Sequence, residues 1–251
     1  RTGRPTVVDD EAGLAGLRKA APQVTFAGAA GLSLGELTAL VAAEAFTFAD
    51  GLYLVQARAE AMAACAASHP GAMLAVIGLA PAVIGEICTQ AGVTAANFIA
   101  PEQVVLSGRV PGIEQAERLA KERGAKRAMR LEVAGAFHSS LMEPAAKALA
   151  KALEKITLAL PRLPVISNVT GRPVQSPEEI RQLLVKQIVS PVQWEGSMRW
   201  FLQQGVTRFV EMPPARVLTG LLRRIDASAK CAAIDEPADV EKLLSAPAPA
   251  S

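Results

Sequence analysis

A serine lies between two glycines in residues 31–35, which read Gly-Leu-Ser-Leu-Gly, and this stretch constrains the fold more than any other. The apolar run 24–28 predicts a strand before it, and the Ala-rich run 34–45 predicts a helix after it. Small residues on both sides let the backbone turn sharply and leave the serine Oγ accessible. Ser33 is therefore a candidate nucleophile, with the backbone N–H of Leu34 as an oxyanion donor. A glycine-flanked turn with a chance serine is the alternative that the pentapeptide leaves open.

The order of predicted elements divides the chain into two parts. Residues 71–133 follow the pattern strand, helix, strand, strand, helix, strand, which is the order of a ferredoxin-like unit. Helices and apolar strands alternate on both sides of it, which favours a mainly parallel sheet. We predict an α/β fold with a discontinuous large catalytic domain, residues 1–70 and 134–251, and a ferredoxin-like small subdomain, residues 71–133. In the large domain we predict a helix over 13–21, strands over 163–169 and 208–212, and a low-complexity tail over 246–251.

Composition excludes several classes of protein. The 26 basic and 24 acidic residues leave a net charge of +2, which gives no reason to expect a nucleic-acid partner. No run approaches the roughly 18 apolar residues of a membrane span. Cys65, Cys88 and Cys231 lack the spacing of metal ligands, so we expect reduced packing residues in a reducing compartment and no metal. We expect a monomer.

The chain has two histidines, and their surroundings differ. His69 precedes Pro70 in a predicted linker, whereas His138 lies in a Gly- and Ser-rich turn before a predicted helix. His138 is therefore the better candidate for a general base, with a structural histidine as the alternative. Arg58 lies inside a helix predicted to begin at Thr47. If buried, Arg58 needs a carboxylate partner; the alternative is an exposed helix arginine.

Six segments, in this order, resemble the malonyl-CoA:acyl carrier protein transacylase family. They are residues 31–36, Arg58, residues 136–138 (Ala-Phe-His), residues 167–169 (Ser-Asn-Val), Gln187 and residues 190–194 (Ser-Pro-Val-Gln-Trp). The resemblance extends over about residues 13–234. It implies an α/β-hydrolase-like large domain with a mainly parallel sheet and an inserted ferredoxin-like subdomain.

The resemblance also implies an activity and its residues. The chain would transfer a malonyl group from malonyl-CoA to the phosphopantetheine thiol of acyl carrier protein, with malonyl-CoA as substrate and no cofactor. Ser33 would hold the acyl group as an ester, His138 would move the proton, and the carbonyl at Gln187 would orient the imidazole. Asn168 would support this group. Arg58 would bind the malonyl carboxylate with its planar guanidinium.

Two further binding roles follow from the same resemblance. Lys126 and Arg127 would contact phosphate of the coenzyme or of the carrier arm; a solvated charged face is the alternative for the local basic cluster of Lys121, Arg123, Lys126, Arg127 and Arg130. Phe137 would fill the space that an α-methyl group needs, so that methylmalonyl reacts slowly.

The chain departs from the family pattern at four places. Leu32 stands where the family usually has His, so we expect altered packing without loss of chemistry. Residues 213–215 read Pro-Pro-Ala in place of Gly-Pro-Gly, and residues 97–102 read Asn-Phe-Ile-Ala-Pro-Glu in place of Asn-x-Asn-x-Pro-Gly. The initial strand and Gly-Gln-Gly-x-Gln loop of the family have no counterpart here. We expect that the natural chain has further residues at or near its start.

Two alternatives to the transacylase remain open on the sequence. One is a related serine esterase, which has no need of an arginine that binds a carboxylate. The other is an inactive homologue that binds carrier protein, which applies if the initial loop is truly absent, because losing one oxyanion donor costs about 10²–10³ in rate. The family assignment implies the bacterial cytoplasm, with the plastid stroma as the alternative.

Overall fold

The computed structural model describes Lys19, residues 25–212 and residues 216–245. The predictions for most of the helix over 13–21, for residues 213–215 and for the tail over 246–251 fall outside these residues. In chain order the elements are α1 (Gly35–Ala42), α2 (Phe48–Ser68), β1 (Gly71–Ile77), α3 (Pro81–Ala91), β2 (Thr94–Ala100), β3 (Gln103–Arg109), α4 (Val110–Glu122), β4 (Arg127–Arg130), a 3-10 turn (Ser140–Met142), α5 (Glu143–Leu153), α6 (Pro177–Gln187), β5 (Val192–Gln193), α7 (Trp194–Gln203), β6 (Arg208–Glu211), α8 (Val217–Ile225), β7 (Lys230–Ala233) and α9 (Pro237–Ser245).

The predicted ferredoxin-like unit forms an antiparallel sheet covered by two helices. Its strands lie in the order β4-β1-β3-β2, and β1 pairs antiparallel with both β3 and β4. On one face, Leu74 and Val76 of β1 pack with Ile87 of α3 and Ile113 of α4, and all four are buried. The topology confirms the predicted fold class, whereas the boundaries at residues 70/71 and 133/134 stay a prediction.

A fifth strand joins this sheet from a distant part of the chain. β5 pairs in parallel with β2, with Asn97 opposite Val192 and Phe98 opposite Gln193. The β2 edge of the ferredoxin-like unit is therefore covered by residues that follow α6.

The larger part of the molecule is built around α2, a helix of 21 residues. Thr47 caps its first turn, since Oγ1 accepts a hydrogen bond from the backbone N–H of Asp50 over 3.1 Å. Leu54, Val55 and Met62 on one side of α2 pack into a core shared with α1, α5 and α6. This packing places Arg58 on the buried side of the helix.

The predicted strand over 163–169 is wrong as a regular strand, and so is the predicted strand over 24–28 in its described part, residues 25–28. Ala29 and Val165 form a single parallel bridge, in which the Ala29 N–H donates to the Pro164 carbonyl over 2.8 Å and the Ile166 N–H donates to the Ala29 carbonyl over 3.1 Å. Pro164 has no N–H to extend this ladder, which limits its length. The predicted strand over 208–212 is confirmed as β6, which pairs in parallel with β7. The parallel pairings agree with the predicted α/β class.

No helix in the described part of the chain is long and apolar enough to cross a membrane.

Candidate active site

The turn at Ser33 is held in a strained conformation. Ser33 has φ 54°, in the left-handed region that costs a non-glycine residue energy. The side chain of Asn168 compensates by bridging the turn: its Oδ1 accepts from the Ser33 N–H over 2.6 Å and its Nδ2 donates to the Gly31 carbonyl over 2.8 Å. The predicted supporting residue Asn168, which is fully buried, therefore lies directly behind the candidate nucleophile.

The two glycines of the turn are not equivalent. A Cβ on Gly31 would lie 1.9 Å from the carbonyl oxygen of Gly35, so only glycine fits at position 31. A Cβ on Gly35 would have no atom within 4 Å apart from its chain neighbours and the backbone of its own helix, and Gly35 borders a largely apolar cavity of about 560 Å3. The prediction that both flanking residues must be small is therefore wrong for Gly35. Leu32 packs against the apolar cluster that contains Trp194 and Phe201.

His138 lies between Ser33 and Gln187. Its Nε2 is 2.8 Å from Ser33 Oγ, and its Nδ1 is 2.8 Å from the backbone carbonyl oxygen of Gln187. Because a carbonyl only accepts, Nδ1 carries the proton and Nε2 is left to accept from the serine hydroxyl. Burial, and to a lesser degree the charge of Arg58, lower the pKa of His138 to about 4. The imidazole is therefore neutral near pH 7, which is the form that a general base requires.

Arg58 is buried and lies against the candidate nucleophile, so the exposed alternative is wrong. Its Nη2 donates to Ser33 Oγ over 2.8 Å and to Gln187 Oε1 over 3.2 Å. Burial lowers the pKa of Arg58 to about 10, against the opposing effect of the Glu36 charge. The guanidinium stays positively charged at neutral pH and provides a fixed cation beside the serine.

Glu36 belongs to the same group of side chains, and sequence reasoning missed it as a site residue. It is only 1% exposed, and its Oε2 accepts from Gln187 Nε2 over 2.6 Å and from the Asn168 N–H over 3.1 Å. Burial raises its pKa to about 7, while these hydrogen bonds and the charge of Arg58 act in the opposite direction. The available signal was an acidic residue at the start of an otherwise apolar helix, α1.

The predicted oxyanion donor lies at the N-terminal end of α1. Leu34 is the residue that precedes this helix. Within residues 25–212 and 216–245, no group accepts a hydrogen bond from its backbone N–H. This N–H, next to Ser33, is therefore available to an oxyanion formed at the serine.

Phe137 directly precedes His138 in the same turn and is half-buried. It packs against the apolar face of the ferredoxin-like sheet that contains Met73 and Val105, and also against the core around α2. The ring therefore lies where the two parts of the fold meet, one residue before the candidate base.

The structure does not bring Lys126 and Arg127 to this group. Both are exposed at the start of β4, which is an edge strand of the sheet. Lys126 Nζ lies 3.5 Å from Glu102 Oε2. Other members of the basic cluster also have acidic partners: Lys121 and Arg130 pair with Glu117, and Arg123 pairs with Glu86. These contacts favour the alternative of a solvated charged face.

The geometry suits nucleophilic chemistry on an acyl group that carries a carboxylate. The serine has a neutral base, a nearby backbone donor and a fixed cation, all of them supplied by the protein. Among the described residues, no group of three or more His, Cys, Asp or Glu side chains could hold a metal ion.

Known proteins with similar sequences and structures are acyltransferases. Residues 11–240 match the family described as the acyl transferase domain. The malonyl CoA-acyl carrier protein transacylase of Bacillus subtilis is 41% identical over 217 residues, which cover 84% of this chain and 68% of that protein. The acyl-carrier-protein-S-malonyltransferase of Bartonella henselae has a similar crystal structure, with a TM-score of 0.90 and 35% identity over 95% of this chain and 78% of that one. A type II PKS acyl-carrier protein in complex with its malonyl-transacylase gives a TM-score of 0.86 and 36% identity, covering 93% of this chain and 78% of that one.

Proposed function

Since the chain belongs to the malonyl-CoA:acyl carrier protein transacylase family of acyltransferases, we propose that it transfers malonyl in two steps through an ester on Ser33. In the first step Ser33 Oγ attacks the thioester carbonyl of malonyl-CoA, while His138 Nε2 takes the hydroxyl proton. The C–S bond breaks, and the coenzyme A sulfur leaves with that proton. The malonyl group remains on Oγ.

The second step reverses this chemistry with a different thiol. The phosphopantetheine thiol of acyl carrier protein gives its proton to His138 and attacks the ester carbonyl. The bond to Oγ breaks, and His138 returns a proton to the serine. The acyl carrier protein in complex with a related transacylase supports this choice of acceptor.

One observation carries the proposal: Ser33 Oγ lies 2.8 Å from His138 Nε2 while His138 Nδ1 lies 2.8 Å from the Gln187 carbonyl. The carbonyl fixes the tautomer and the ring orientation without an acid, so a serine-histidine pair is sufficient. In both steps Leu34 stabilises the oxyanion with its N–H, and Asn168 holds the turn that presents Oγ.

Arg58 gives the site its preference among acyl groups. A buried guanidinium without a partner is unfavourable, so an acyl group that ends in a carboxylate binds better than acetyl. In this proposal Phe137, the residue before His138, limits substituents on the carbon between the two carbonyl groups of malonyl. A phosphate contact of Lys126 and Arg127 would have to compete with Glu102, which already pairs with Lys126.

The test is the intact mass of the protein after mixing with malonyl-CoA. The wild-type chain is expected to gain the mass of one malonyl group, and Ser33→Ala, with an unchanged thermal unfolding curve, is expected to gain none. Addition of acyl carrier protein with its phosphopantetheine arm is expected to remove the added mass and transfer it to the carrier. If the malonyl adduct is lost in buffer without the carrier as fast as with it, the protein is an esterase. If the wild-type chain forms no adduct but binds the carrier, it is an inactive homologue.

A further inference from the structure

Glu36 lies behind the reacting groups and touches neither Ser33 Oγ nor His138 by any hydrogen bond among the described residues. It accepts hydrogen bonds from Gln187 Nε2 and from the backbone N–H of Asn168, and the Ser167 side chain also hydrogen-bonds to it. Burying a carboxyl group costs folding free energy unless it is hydrogen-bonded, so the partners of Glu36 indicate what it does.

The amide of Gln187 connects Glu36 to the cation. Its Nε2 donates to Glu36 Oε2 over 2.6 Å and to the Ser33 carbonyl over 3.0 Å, while its Oε1 accepts from Arg58 Nη2 over 3.2 Å. Glu36 Oε2 and the Ser33 carbonyl both accept, and a guanidinium can only donate, so only one orientation of the amide satisfies all three groups. Glu36 therefore fixes the amide in the orientation that turns its oxygen to Arg58.

The intervening amide also keeps the guanidinium available. In the described part of the chain, the hydrogen bonds of the Arg58 side chain all leave from Nη2. A direct ion pair with Glu36 would compete with a substrate carboxylate for the same donors. With Gln187 between them, Glu36 does not occupy the guanidinium donors, and Nε and Nη1 are left to the substrate.

We propose that Glu36 is a positioning residue for acyl selection, which holds Arg58 against Ser33 through the side-chain amide of Gln187. The inference rests on the proposed function, since it assigns a cause to the preference for acyl groups with a free carboxylate. Glu36 acts on the binding of the carboxylate and has no part in the proton transfers of His138.

The experiment measures kcat/KM for acyl-enzyme formation with malonyl-CoA and with acetyl-CoA. Glu36→Ala is expected to lower the malonyl/acetyl ratio by at least about tenfold, mostly through a higher KM for malonyl-CoA. Glu36→Gln keeps an acceptor oxygen for Gln187 and is expected to keep the ratio within about threefold of the wild type. If the alanine variant does not fold, Glu36→Met removes the acceptor at a similar volume.

A double-mutant cycle tests the route through the amide. Gln187→Ala removes the side chain and keeps the backbone carbonyl that binds His138. This variant is expected to lower the malonyl/acetyl ratio of kcat/KM values as much as Glu36→Ala does. Adding Glu36→Ala to Gln187→Ala is then expected to change that ratio little further.

Glu211→Gln is the matched control. Glu211 is also a buried carboxylate, and it accepts from the backbone N–H groups of Leu218 and Thr219 over 2.7 and 2.8 Å at the start of α8. The control is expected to lower thermal stability and to leave the malonyl/acetyl ratio unchanged.

Three results overturn the inference: an equal loss for both substrates in Glu36→Ala, no recovery in Glu36→Gln, or additive effects of the two alanine substitutions. The mass experiment on the wild-type chain separates these results from failure of the proposed function. If malonyl-serine forms in the wild type and the ratios do not change, only the role of Glu36 is wrong.

Discussion

Arg58 donates a hydrogen bond from Nη2 to Oγ of Ser33 over 2.8 Å, so the proposed carboxylate-binding group and the proposed nucleophile are in contact before any substrate binds. In a malonyl ester, only a carbonyl carbon and a methylene separate Oγ from the distal carboxylate carbon. A short acid therefore reaches the guanidinium without displacing the α2 backbone. The same contact restricts the useful length of the acyl group.

Substitution of Arg58 by alanine is expected to reduce kcat/KM for malonyl-CoA by about 100-fold or more and to increase the relative use of acetyl-CoA. The penalty of leaving a buried cation unpaired disappears with the side chain. Arg58→Lys is the matched variant, because it keeps the charge and loses the planar pair of donors. If the alanine variant keeps the full preference for malonyl-CoA, Arg58 does not bind the carboxylate.

The two glycines of the turn give a paired prediction. Gly31→Ala is expected to cost at least about 3 kcal/mol of unfolding free energy, because the new Cβ would overlap the Gly35 carbonyl. Gly35→Ala is expected to be neutral or to stabilise by up to about 1 kcal/mol, since alanine favours the helix and has space. Urea unfolding of the two variants measures the difference. Equal costs would show that the close approach of Gly31 to Gly35 does not limit position 31.

His138 gives a prediction about stability and pH. Its pKa is about 4 in the folded protein, below the ordinary 6.5, so between these values the unfolded chain binds a proton that the folded chain does not. The free energy of unfolding that this neutral histidine contributes is present above pH 6.5 and is lost as the pH falls to about 4, by about 3 kcal/mol in total.

The measurement compares wild type with His138→Gln in urea from pH 4 to pH 7. The raised pKa of Glu36, about 7, acts in the opposite direction: its contribution is lost as the pH rises from 4.5 to about 7. Both proteins contain Glu36 and Arg58, so these effects largely cancel in the difference. A difference that stays constant from pH 6.5 to pH 4 would contradict the buried neutral state of His138.

Phe137 is expected to limit the acyl group at the carbon next to the thioester. Phe137→Ala should increase the kcat/KM of methylmalonyl-CoA relative to malonyl-CoA by about tenfold, because the ring no longer occupies the space beside His138. Met73→Ala, which opens space against the far side of the ring, is the control for general loosening of the packing. An unchanged methylmalonyl/malonyl ratio in Phe137→Ala would leave Phe137 with a packing role only.

Elements with chemical signals at their ends could be predicted from the sequence. Thr47 and Ser176 mark the starts of α2 and α6, and the side-chain oxygen of each accepts a backbone hydrogen bond as the capping pattern requires. β3 likewise lies within the element order predicted for residues 71–133, because its centre, Val104 to Leu106, is an apolar run. Local signals were sufficient in these cases.

What the sequence did not reveal depends on contacts between distant segments. Glu36 and Gln187 lie 151 positions apart, so nothing near Glu36 indicates that it is buried against an amide. Within the run 24–28, Phe26 packs against the cluster of Ile234 and Val240, and periodicity cannot distinguish such a segment from a strand. The pairing strand β5 contains only two residues, too few for any pattern to predict it.

The pairing of β5 with β2 has a consequence for recombining this protein with its relatives. A chimaera that exchanges residues 71–133 alone would separate β2 from the strand of its own parent, because Val192 and Gln193 would remain with the recipient. Where β2 of one parent does not match β5 of the other, the β2 edge is left with unpaired backbone groups, which favour aggregation. A design that transfers residues 192–193 together with residues 71–133 keeps the pairing of β2 with β5. The residues that must be exchanged together are therefore not continuous in the chain.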